Sequence, residues 1–378
     1  MRTGIANLTL DRGRCPSWLF EKMRKLAQVI SLIIIEEFGT EEFLKRLSDP
    51  VWFQSFGSLL AFDWNASGLT TTTLAALKEA LKPYQKKLGI FICGGKGKTS
   101  RNTPKEIQFL SYFADFDKKT TQKLEFISKA VAKIDNCLIQ DGFNLYHHNF
   151  LFDKSGNWTV IQQGMNQNLH SARRYHWFSK NISQLDLEPH SGIVTSQKFE
   201  KVLNLTSKKS QENKKATLAL IKSKKTFLAN VKIIFSSQKT LKILTLPNCE
   251  FRNHPNLKSF IDSNYLFKIF QKIAQNDYQS YLDLLLTEGV GPKTIRALSL
   301  ASEIIYGKKP SFEDPARYSF AHGGKDGTPY PVDRSTYDKT IEILEKAIKK
   351  SNFLSLKEKE YLIFRCKNLN FQILNPKS

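Results

Sequence analysis

The sequence has few of the residues that build metal centres and disulfide frameworks. Its five cysteines lie singly along 378 residues without a CxxC pair, and its seven histidines include no HExxH spacing. Neither a disulfide framework nor a zinc or iron–sulfur site is indicated, so we expect no metal and no other cofactor. Cysteines without partners also favour a reducing compartment, which predicts a cytoplasmic protein.

Long hydrophobic runs are missing as well. The longest, residues 29–35, includes a serine and is much shorter than the roughly 20 apolar residues that a membrane-spanning helix requires. Residues 5–17, which follow the basic start of the chain, do not form the apolar segment of a secretory signal. The sequence therefore predicts a protein that has no membrane partner.

Acidic residues are scarce relative to basic ones. The chain has 35 Asp and Glu against 57 Lys and Arg, which leaves a net charge of +22 and a pI near 9.6. Such an excess attracts polyanions over a distance, and we expect the partner to be DNA. The length suggests two or three domains, and a hydrophobic fraction of 41% is enough to form their cores.

Periodicity and composition predict an α+β protein with two domains and a basic connection between them. Residues 1–195 read as a mixed domain with a small sheet and a β-hairpin. Residues 196–254 read as a lysine-rich connecting region, because the stretch 196–242 contains twelve lysines and two glutamates. Residues 255–378 read as an all-helical domain that carries a helix–hairpin–helix.

Local signals predict the individual elements. One helix is expected to end at Gly39 and a second to begin after Thr40, which reads as its N-cap. The turn DKSG at 153–156 joins two aromatic-rich segments and is the clearest β-hairpin signal in the chain. Further predictions are a strand at 89–93, hairpin strands at 143–152 and 157–163, and helices at 211–223, 335–350 and 356–367.

The stretch LLLTEGVGPKTIRALSLASEII, residues 284–305, joins two predicted helices through a short glycine-containing turn. Gly289 and Gly291 let the backbone turn tightly and lie against another chain, and Pro292 suits the first turn of the next helix. Amide groups at that helix start, up to Thr294, would face a phosphate group. The pattern resembles the helix–hairpin–helix module, which holds a nucleic-acid backbone without reading its bases. The alternative is a glycine-containing turn between two core helices.

A second basic loop, GGKGKTSR at residues 94–101, follows the predicted strand at 89–93. It lacks the GxxxxGK[ST] spacing of nucleotide triphosphatases, because position 92 is Ile92 and not glycine. We interpret it as a loop whose amides and lysines, Lys96 and Lys98, hold a DNA phosphate. A solvated basic turn is the alternative.

The predicted β-hairpin and the segment ARRYHW, residues 172–177, carry further candidate site residues. His147 and Gln163 lie in the predicted β-hairpin, and His147 points to the opposite strand face from His148, so at most one of the two histidines faces a site. The segment ARRYHW interleaves Arg173 and Arg174 with aromatic residues, which suits phosphate contact combined with base stacking. The alternatives are a buried, hydrogen-bonded histidine and an ordinary cation–π cluster.

The sequence GVGPKT also resembles the hairpin of the helix–hairpin–helix DNA glycosylases, of which endonuclease III is one kind. Some of these glycosylases also cleave the DNA backbone, with a lysine at this place in the hairpin as the nucleophile. The resemblance therefore implies that Lys293 is the nucleophile and that Asp314, past the following helix, assists it. The spacing allows Asp314 to lie beside Lys293. A helix over 294–306 rises about 20 Å away from Lys293, and the seven extended residues after Gly307 can span about 23 Å back towards it. The lysine would attack the anomeric carbon and form a Schiff base, and Asp314 would accept its proton.

The chain as a whole resembles a prokaryotic family known as domain of unknown function 763. The matching motifs are MRTGIANL (1–8), CGGKGKTS (93–100), QQGMN (162–166), ARRYHW (172–177), EGVGPKT (288–294) and DPARYSFAHGGKDG (314–327). The lysine-rich middle and the C-terminal end lie outside the resemblance. The resemblance implies DNA repair by removal of oxidised or deaminated bases. We add His322, in the last motif, to His147 and Gln163 as possible pocket residues.

These patterns predict a DNA glycosylase with lyase activity that uses Lys293 and Asp314 and needs no metal. Two alternatives stay open. One is a DNA-binding protein without chemistry, and the other is a metal-dependent nuclease in the first domain, which would lose its activity in chelator. The nuclease would use the polar residues Asp63, Asp141, His147 and Gln163.

Overall fold

The computed structural model describes residues 8–10, 15–60, 67–224, 226–229, 264–316 and 360. Asp63 and His322 lie outside the described residues, as do the predicted helix at 335–350 and all but one residue of the predicted helix at 356–367. The described chain is a mixed α+β structure, which confirms the predicted fold class.

A five-stranded antiparallel sheet forms the centre of the protein. In chain order the strands are β1 (Ile90–Lys96), β2 (Ile139–Gln140), β3 (Asn144–Asp153), β4 (Trp158–Asn166), β5 (Ser171–Phe178), β6 (His190–Thr195) and β7 (Leu203–Asn204). The sheet has the order β1-β3-β4-β5-β6, and β2 pairs separately with β7. The predicted hairpin is confirmed as β3 and β4, and the predicted strand at 89–93 as β1.

Helices cover both faces of this sheet. In chain order they are α1 (Ser17–Ser48), α2 (Pro50–Leu59), α3 (Gly68–Leu81), α4 (Gln85–Leu88), α5 (Lys98–Arg101), α6 (Thr103–Phe113), α7 (Lys118–Cys137), α8 (Gln211–Lys222), α9 (Asn264–Gln275), α10 (Tyr281–Leu286) and α11 (Pro292–Tyr306). The predicted helix at 211–223 is present as α8. The break expected at Gly39 is a kink inside α1, where Gly39 has φ 83° and ψ 170°.

Alternation along the strands directs side chains into two apolar layers. On one face Ile92, Leu151 and Ile161 belong to the core formed with α1, α2 and α3. On the other face Cys93 and Phe150 belong to the core formed with α6 and α7. Each strand therefore carries apolar residues on both sides, as expected for a sheet covered on both faces.

The described helices beyond residue 263 join the second of these cores. Leu284 of α10 and Ile295 and Leu298 of α11 belong to the same hydrophobic cluster as Val131 and Ile134 of α7. The part of the chain expected to form a separate helical domain thus shares its core with the face of the sheet that α7 covers. Within the described ranges, the structure contains no helix that is both long enough and apolar enough to cross a membrane.

Candidate nucleic-acid interface

The turn between α10 and α11, residues 287–291, has a conformation that requires glycine at one position. Gly289 has φ +86°, and a Cβ there would lie 2.4 Å from Ile269 Cδ1. Gly291 is the N-cap of α11 with extended backbone, and a Cβ there would meet no atom within 4 Å. One side of the turn is therefore packed against α9, and the other side is open.

Two side chains from elsewhere in the chain hold this turn in place, and one of them also contacts Arg296 of α11. Lys133 of α7 donates to the Val290 carbonyl. Gln140 of β2 donates to the Pro292 carbonyl at 2.9 Å and accepts from Arg296 Nε at 2.6 Å. The sequence does not reveal Lys133 and Gln140, because neither lies in a recognisable motif and their contacts to the turn span more than 150 residues. Arg296 lies within the stretch 284–305, but its contact with Gln140 is equally distant in sequence.

The residues predicted to touch DNA here have different exposures. Lys293 is exposed and forms no ion pair with any described residue. Gly289 and Gly291 are partly exposed, whereas the Thr294 side chain is buried. Backbone and lysine contacts are therefore available to a strand docked on the turn, but a contact from the Thr294 hydroxyl is not.

Four lysines on the helices that contact or follow the turn, α7, α9 and α11, are called here the basic rim: Lys129, Lys268, Lys272 and Lys293. Lys129 is exposed on α7, one helical turn before Lys133. Lys268 and Lys272 flank Ile269 on α9, the residue against which Gly289 packs. Lys272 pairs with the exposed Glu288 at 2.8 Å, which neutralises the one acidic side chain of the turn.

The glycine–lysine loop after β1 is rigidly attached to the rest of the protein. Gly94 has φ +92°, and a Cβ there would lie 2.1 Å from the His148 carbonyl oxygen. Glu106 accepts from the Gly94 amide at 2.8 Å, and Lys78 donates to the Gly94 carbonyl at 2.8 Å. Lys96 and Lys98, by contrast, are exposed. The backbone is thus fixed while two ammonium groups face solvent.

Helix α7 connects this loop to the α10–α11 turn. Ser128 Oγ lies 2.9 Å from His148 Nε2, and His148 is the cross-strand partner of Gly95. Lys133, which holds the turn, is five residues further along the same helix, a rise of about 8 Å. Lys129 is exposed on α7 between these two contact positions in the sequence.

Arg173 is buried and has two carboxylate partners. Its Nη1 lies 3.0 Å from Asp141 Oδ2 and from Asp314 Oδ1, and its Nη2 lies 2.8 Å from Asp314 Oδ2. Although burial disfavours its charge, the Asp141 and Asp314 carboxylates raise the pKa of Arg173. Arg173 therefore presents no guanidinium to the surface in this structure.

Asp314 has no free carboxylate oxygen. Besides Arg173, it accepts from the backbone amides of Phe199 at 2.9 Å and Ala316 at 3.0 Å. The carboxylate predicted to assist Lys293 is thus the anionic half of a buried ion pair. This arrangement leaves Asp314 without a lone pair directed at the Lys293 amine.

Arg174 is also buried, but it has only neutral partners. It donates to Thr70 Oγ1 at 3.1 Å, to Gln54 Oε1 at 2.8 Å and to His176 Nε2 at 2.8 Å. Burial without a carboxylate lowers the pKa of Arg174. The side chain lies over the Phe53 ring, 4.8 Å from its centroid, inside the protein rather than on a DNA-binding surface.

The two adjacent histidines face opposite sides of the sheet, as predicted. His148 is directed at α7, where it contacts Ser128, and its pKa is lowered by burial. His147 is on the other face, where its cross-strand neighbour is Gln163. His147 is 2% exposed, and burial lowers its pKa to about 3.

The residues proposed for a metal-dependent nuclease are not gathered into a metal site. Asp141 accepts from Arg173 and from the Tyr175 hydroxyl at 2.7 Å, so its carboxylate serves a buried ion pair. Among the residues that the structure describes, no group of three or more His, Cys, Asp or Glu side chains is arranged to hold a metal ion.

Comparison with known proteins identifies a family but no characterised relative. Residues 4–332 match the model of a family described as "Protein of unknown function (DUF763)". No curated protein and no solved structure matches the chain.

Proposed function

The chain belongs to the DUF763 family, whose model covers residues 4–332, and we propose that it binds DNA through a helix–hairpin–helix made of α10, residues 287–291 and α11. The observation that carries this proposal is that no described residue covers the turn at Gly291, next to an exposed Lys293 that has no ion-pair partner among the described residues. The family has no assigned activity from which to argue, so the proposal rests on this geometry.

The start of α11 is suited to an anion. Gly291 supplies no side-chain cap, so the first-turn amides keep their hydrogen-bonding capacity. The positive end of the helix dipole adds to their attraction for a phosphate oxygen. Because Gly291 has no Cβ, a nucleic-acid backbone can approach these amides closely.

The basic rim and the glycine–lysine loop provide further phosphate-binding positions along the nucleic-acid strand. Lys129 is exposed on α7 between Ser128 and Lys133, which contact β3 and the turn, and Lys96 and Lys98 are exposed in the loop. Such contacts bind phosphates without reading bases, which matches the large positive charge of the chain. In this proposal α7 and the described helices beyond residue 263 act as one binding unit.

Salt-dependent binding tests the proposal. With a short labelled DNA duplex, Lys293→Ala and Lys129→Ala should each weaken binding several-fold and reduce the slope of log K against log salt by about one. Lys45→Ala is the matched control, because Lys45 is exposed on α1 on the other side of the sheet. If Lys45→Ala weakens binding as much as Lys293→Ala does, binding is non-specific attraction and the proposed interface is wrong.

A second candidate function is the DNA glycosylase with lyase activity, acting on oxidised or deaminated bases. It is favoured by the exposed Lys293 amine, which has no carboxylate partner in the described chain and lies at the first turn of α11. The neutral amine attacks C1′ of deoxyribose, and the bond from C1′ to the base breaks with its electron pair on the base. The amine proton passes to the base through solvent, and ring opening then leaves a Schiff base.

Borohydride trapping separates this candidate from binding alone. On a panel of oligonucleotides with abasic sites and damaged bases, the wild-type protein should give a covalent adduct that Lys293→Ala abolishes. Lys129→Ala is the control, since it removes a neighbouring exposed amine and leaves the nucleophile. An adduct that survives Lys293→Ala would move the nucleophile elsewhere, and activity lost in chelator would favour the nuclease alternative.

A further inference from the structure

A row of polar side chains crosses the central sheet on the face towards α3. Lys96, His147, Gln163 and Arg174 are successive cross-strand partners on β1, β3, β4 and β5. Directly opposed residues of an antiparallel sheet share a face. Lys96 is exposed at the edge of the sheet, whereas the other three are buried, so the row reaches the surface at its Lys96 end.

Helix α3 covers this row. Thr70, near its start, accepts from Arg174 at 3.1 Å, and Lys78, near its end, donates to the Gly94 carbonyl on β1 at 2.8 Å. Thr73 is buried between these two contacts along the helix. Buried polar groups therefore lie on both sides of the contact between α3 and the sheet.

Five buried polar atoms in and beside the row have no hydrogen-bond partner among the residues that the structure describes. They are His147 Nδ1, His147 Nε2, Gln163 Oε1, Asn149 Oδ1 and Thr73 Oγ1. A buried polar atom without a partner destabilises the folded state, and native proteins keep few of them. Their concentration at one place indicates a site whose partner is a ligand.

Two residues on the opposite face, His148 and Gln162, have complete hydrogen bonds. His148 Nε2 lies 2.9 Å from Ser128 Oγ, and its Nδ1 lies 2.7 Å from Gln162 Oε1. Gln162 Nε2 donates to Asp135 Oδ2 at 2.5 Å. Residues 148 and 162 neighbour 147 and 163 in sequence, so they are matched controls for the two residues of the row.

The unpartnered atoms restrict the chemistry of the ligand. His147 is neutral, so it offers one N–H donor and one acceptor nitrogen, whereas Gln163 Oε1 and Asn149 Oδ1 only accept. A phosphate group only accepts hydrogen bonds, so it would leave Gln163 Oε1 and Asn149 Oδ1 without a donor. A metal cation leaves the imidazole N–H unsatisfied. A neutral heterocycle with hydrogen-bond donors and acceptors on one edge satisfies both the imidazole N–H and the acceptor atoms.

We infer that His147, Asn149 and Gln163 bind a nucleobase through its hydrogen-bonding edge. Lys96, at the mouth of the row, is placed for a phosphate of the same nucleotide. Its Nζ lies 5.8 Å from the ring centroid of the half-buried Tyr146, which offers a stacking surface. The inference rests on the proposed DNA binding for the source of the base, which must leave the helical stack to enter.

Matched substitutions test the site without any ligand. His147→Leu removes two unpartnered ring nitrogens, so it should leave the melting temperature unchanged or raise it. Gln163→Leu also breaks the hydrogen bonds from Gln163 Nε2 to the Ser67 carbonyl and the Tyr146 hydroxyl, so it serves only in the binding test. His148→Leu and Gln162→Leu break complete hydrogen bonds one residue away and should lower the melting temperature. If His147 pairs with Asn149 in solution instead, His147→Leu will lower the melting temperature as much as His148→Leu does, and the inference is overturned.

Binding by the full-length protein tests the ligand. A labelled single strand that carries 2-aminopurine should bind about tenfold more tightly than the same strand with an abasic site at that position. His147→Leu and Gln163→Leu should reduce this ratio to about one while leaving the affinity for the abasic strand unchanged. Equal affinities for the two strands in the wild type overturn the inference and leave the proposed backbone binding intact.

Free 2-aminopurine distinguishes the two sources of a base. If neither strand binds, the proposed DNA binding has failed, and the free base decides the inference by itself. Free base bound by the wild type and lost in Gln163→Leu supports a pocket for a free nucleobase. If neither strand binds and the free base does not bind either, the inference of a nucleobase pocket is overturned.

Discussion

At the scale of single residues, adjacent positions in one strand have opposite electrostatic environments. Arg173 faces Asp141 and Asp314, whereas Arg174 faces only neutral acceptors on the other side of the sheet. A strand directs neighbouring side chains to different faces, so two identical residues in sequence enter different surroundings. The first arginine stabilises the fold through an ion pair, and the second places an unbalanced charge under α3.

The buried ion pair predicts a large effect of Asp314→Asn. Removing one carboxylate leaves Arg173 with an incomplete set of anionic partners, so the free energy of unfolding should fall by about 3–5 kcal/mol. Denaturant unfolding measures this change. Glu313→Gln is the control, since Glu313 pairs with Lys209 on the surface and should have little effect. If both variants lose the same free energy of unfolding, the buried pair with Arg173 stabilises the fold no more than a surface pair does.

Buried neutral histidines predict acid sensitivity. Burial lowers the pKa of His147 to about 3 and also lowers those of His148 and His176 below the usual 6.5. The unfolded chain binds protons below pH 6.5 while the folded chain does not, so stability present above pH 6.5 is lost as the pH falls towards 3. Each such histidine contributes up to about 1.4 kcal/mol per pH unit.

Denaturant midpoints measured across this range check the sign. His147→Leu should have a shallower loss of stability between pH 6.5 and pH 3 than the wild-type protein, because one proton fewer is taken up on unfolding. An identical slope in the two proteins would contradict a neutral, buried His147.

At the scale of elements, the α10–α11 turn contains two glycines with different roles. Gly289 needs a positive φ and has no room for a Cβ, whereas Gly291 has extended backbone and open space. The sequence shows both as glycines and does not distinguish them. Only the position of Ile269 on α9, a contact between distant parts of the chain, separates a packing glycine from one that faces solvent.

This difference predicts opposite outcomes for two alanine substitutions. Gly289→Ala should lower the free energy of unfolding by about 1–3 kcal/mol, since it adds backbone strain and a close contact. Gly291→Ala should leave stability nearly unchanged but weaken DNA binding several-fold, because the added methyl group lies where the DNA backbone is expected to approach. Thermal unfolding and DNA titration of both variants measure this. Unaltered DNA binding by a folded Gly291→Ala protein would count against the proposed interface.

At the scale of the whole molecule, the described helices beyond residue 263 and the sheet share one hydrophobic cluster. Lys133 and Gln140, on α7 and β2, also hold the turn that starts α11. We therefore expect α9 to α11 to unfold together with the sheet in one transition. Far-ultraviolet circular dichroism and tryptophan fluorescence should give coincident denaturation curves. Two separated transitions would instead support the independent helical domain that the composition suggests.

Much of the local structure was predictable from the sequence. The hairpin of β3 and β4, the strand β1, helix α8 and the opposite orientation of His147 and His148 follow from periodicity and turn residues within a few positions of each other. Strands β5 and β6 were missed. The segment ARRYHW was interpreted by its charges, and nothing local shows that carboxylates about 30 and 140 residues away neutralise Arg173 inside the sheet.

The sequence by itself determined the α+β class, the excess of positive charge, the glycine-containing turn before α11 and the family, because each of these depends on composition or on short patterns. Only the tertiary structure decided that Asp314 pairs with Arg173, that Arg174 lies beneath α3 and that His147 and Gln163 share an unpartnered row. These are contacts between distant segments. They form only when strand register and helix packing bring those segments together, and no local pattern in the chain encodes them.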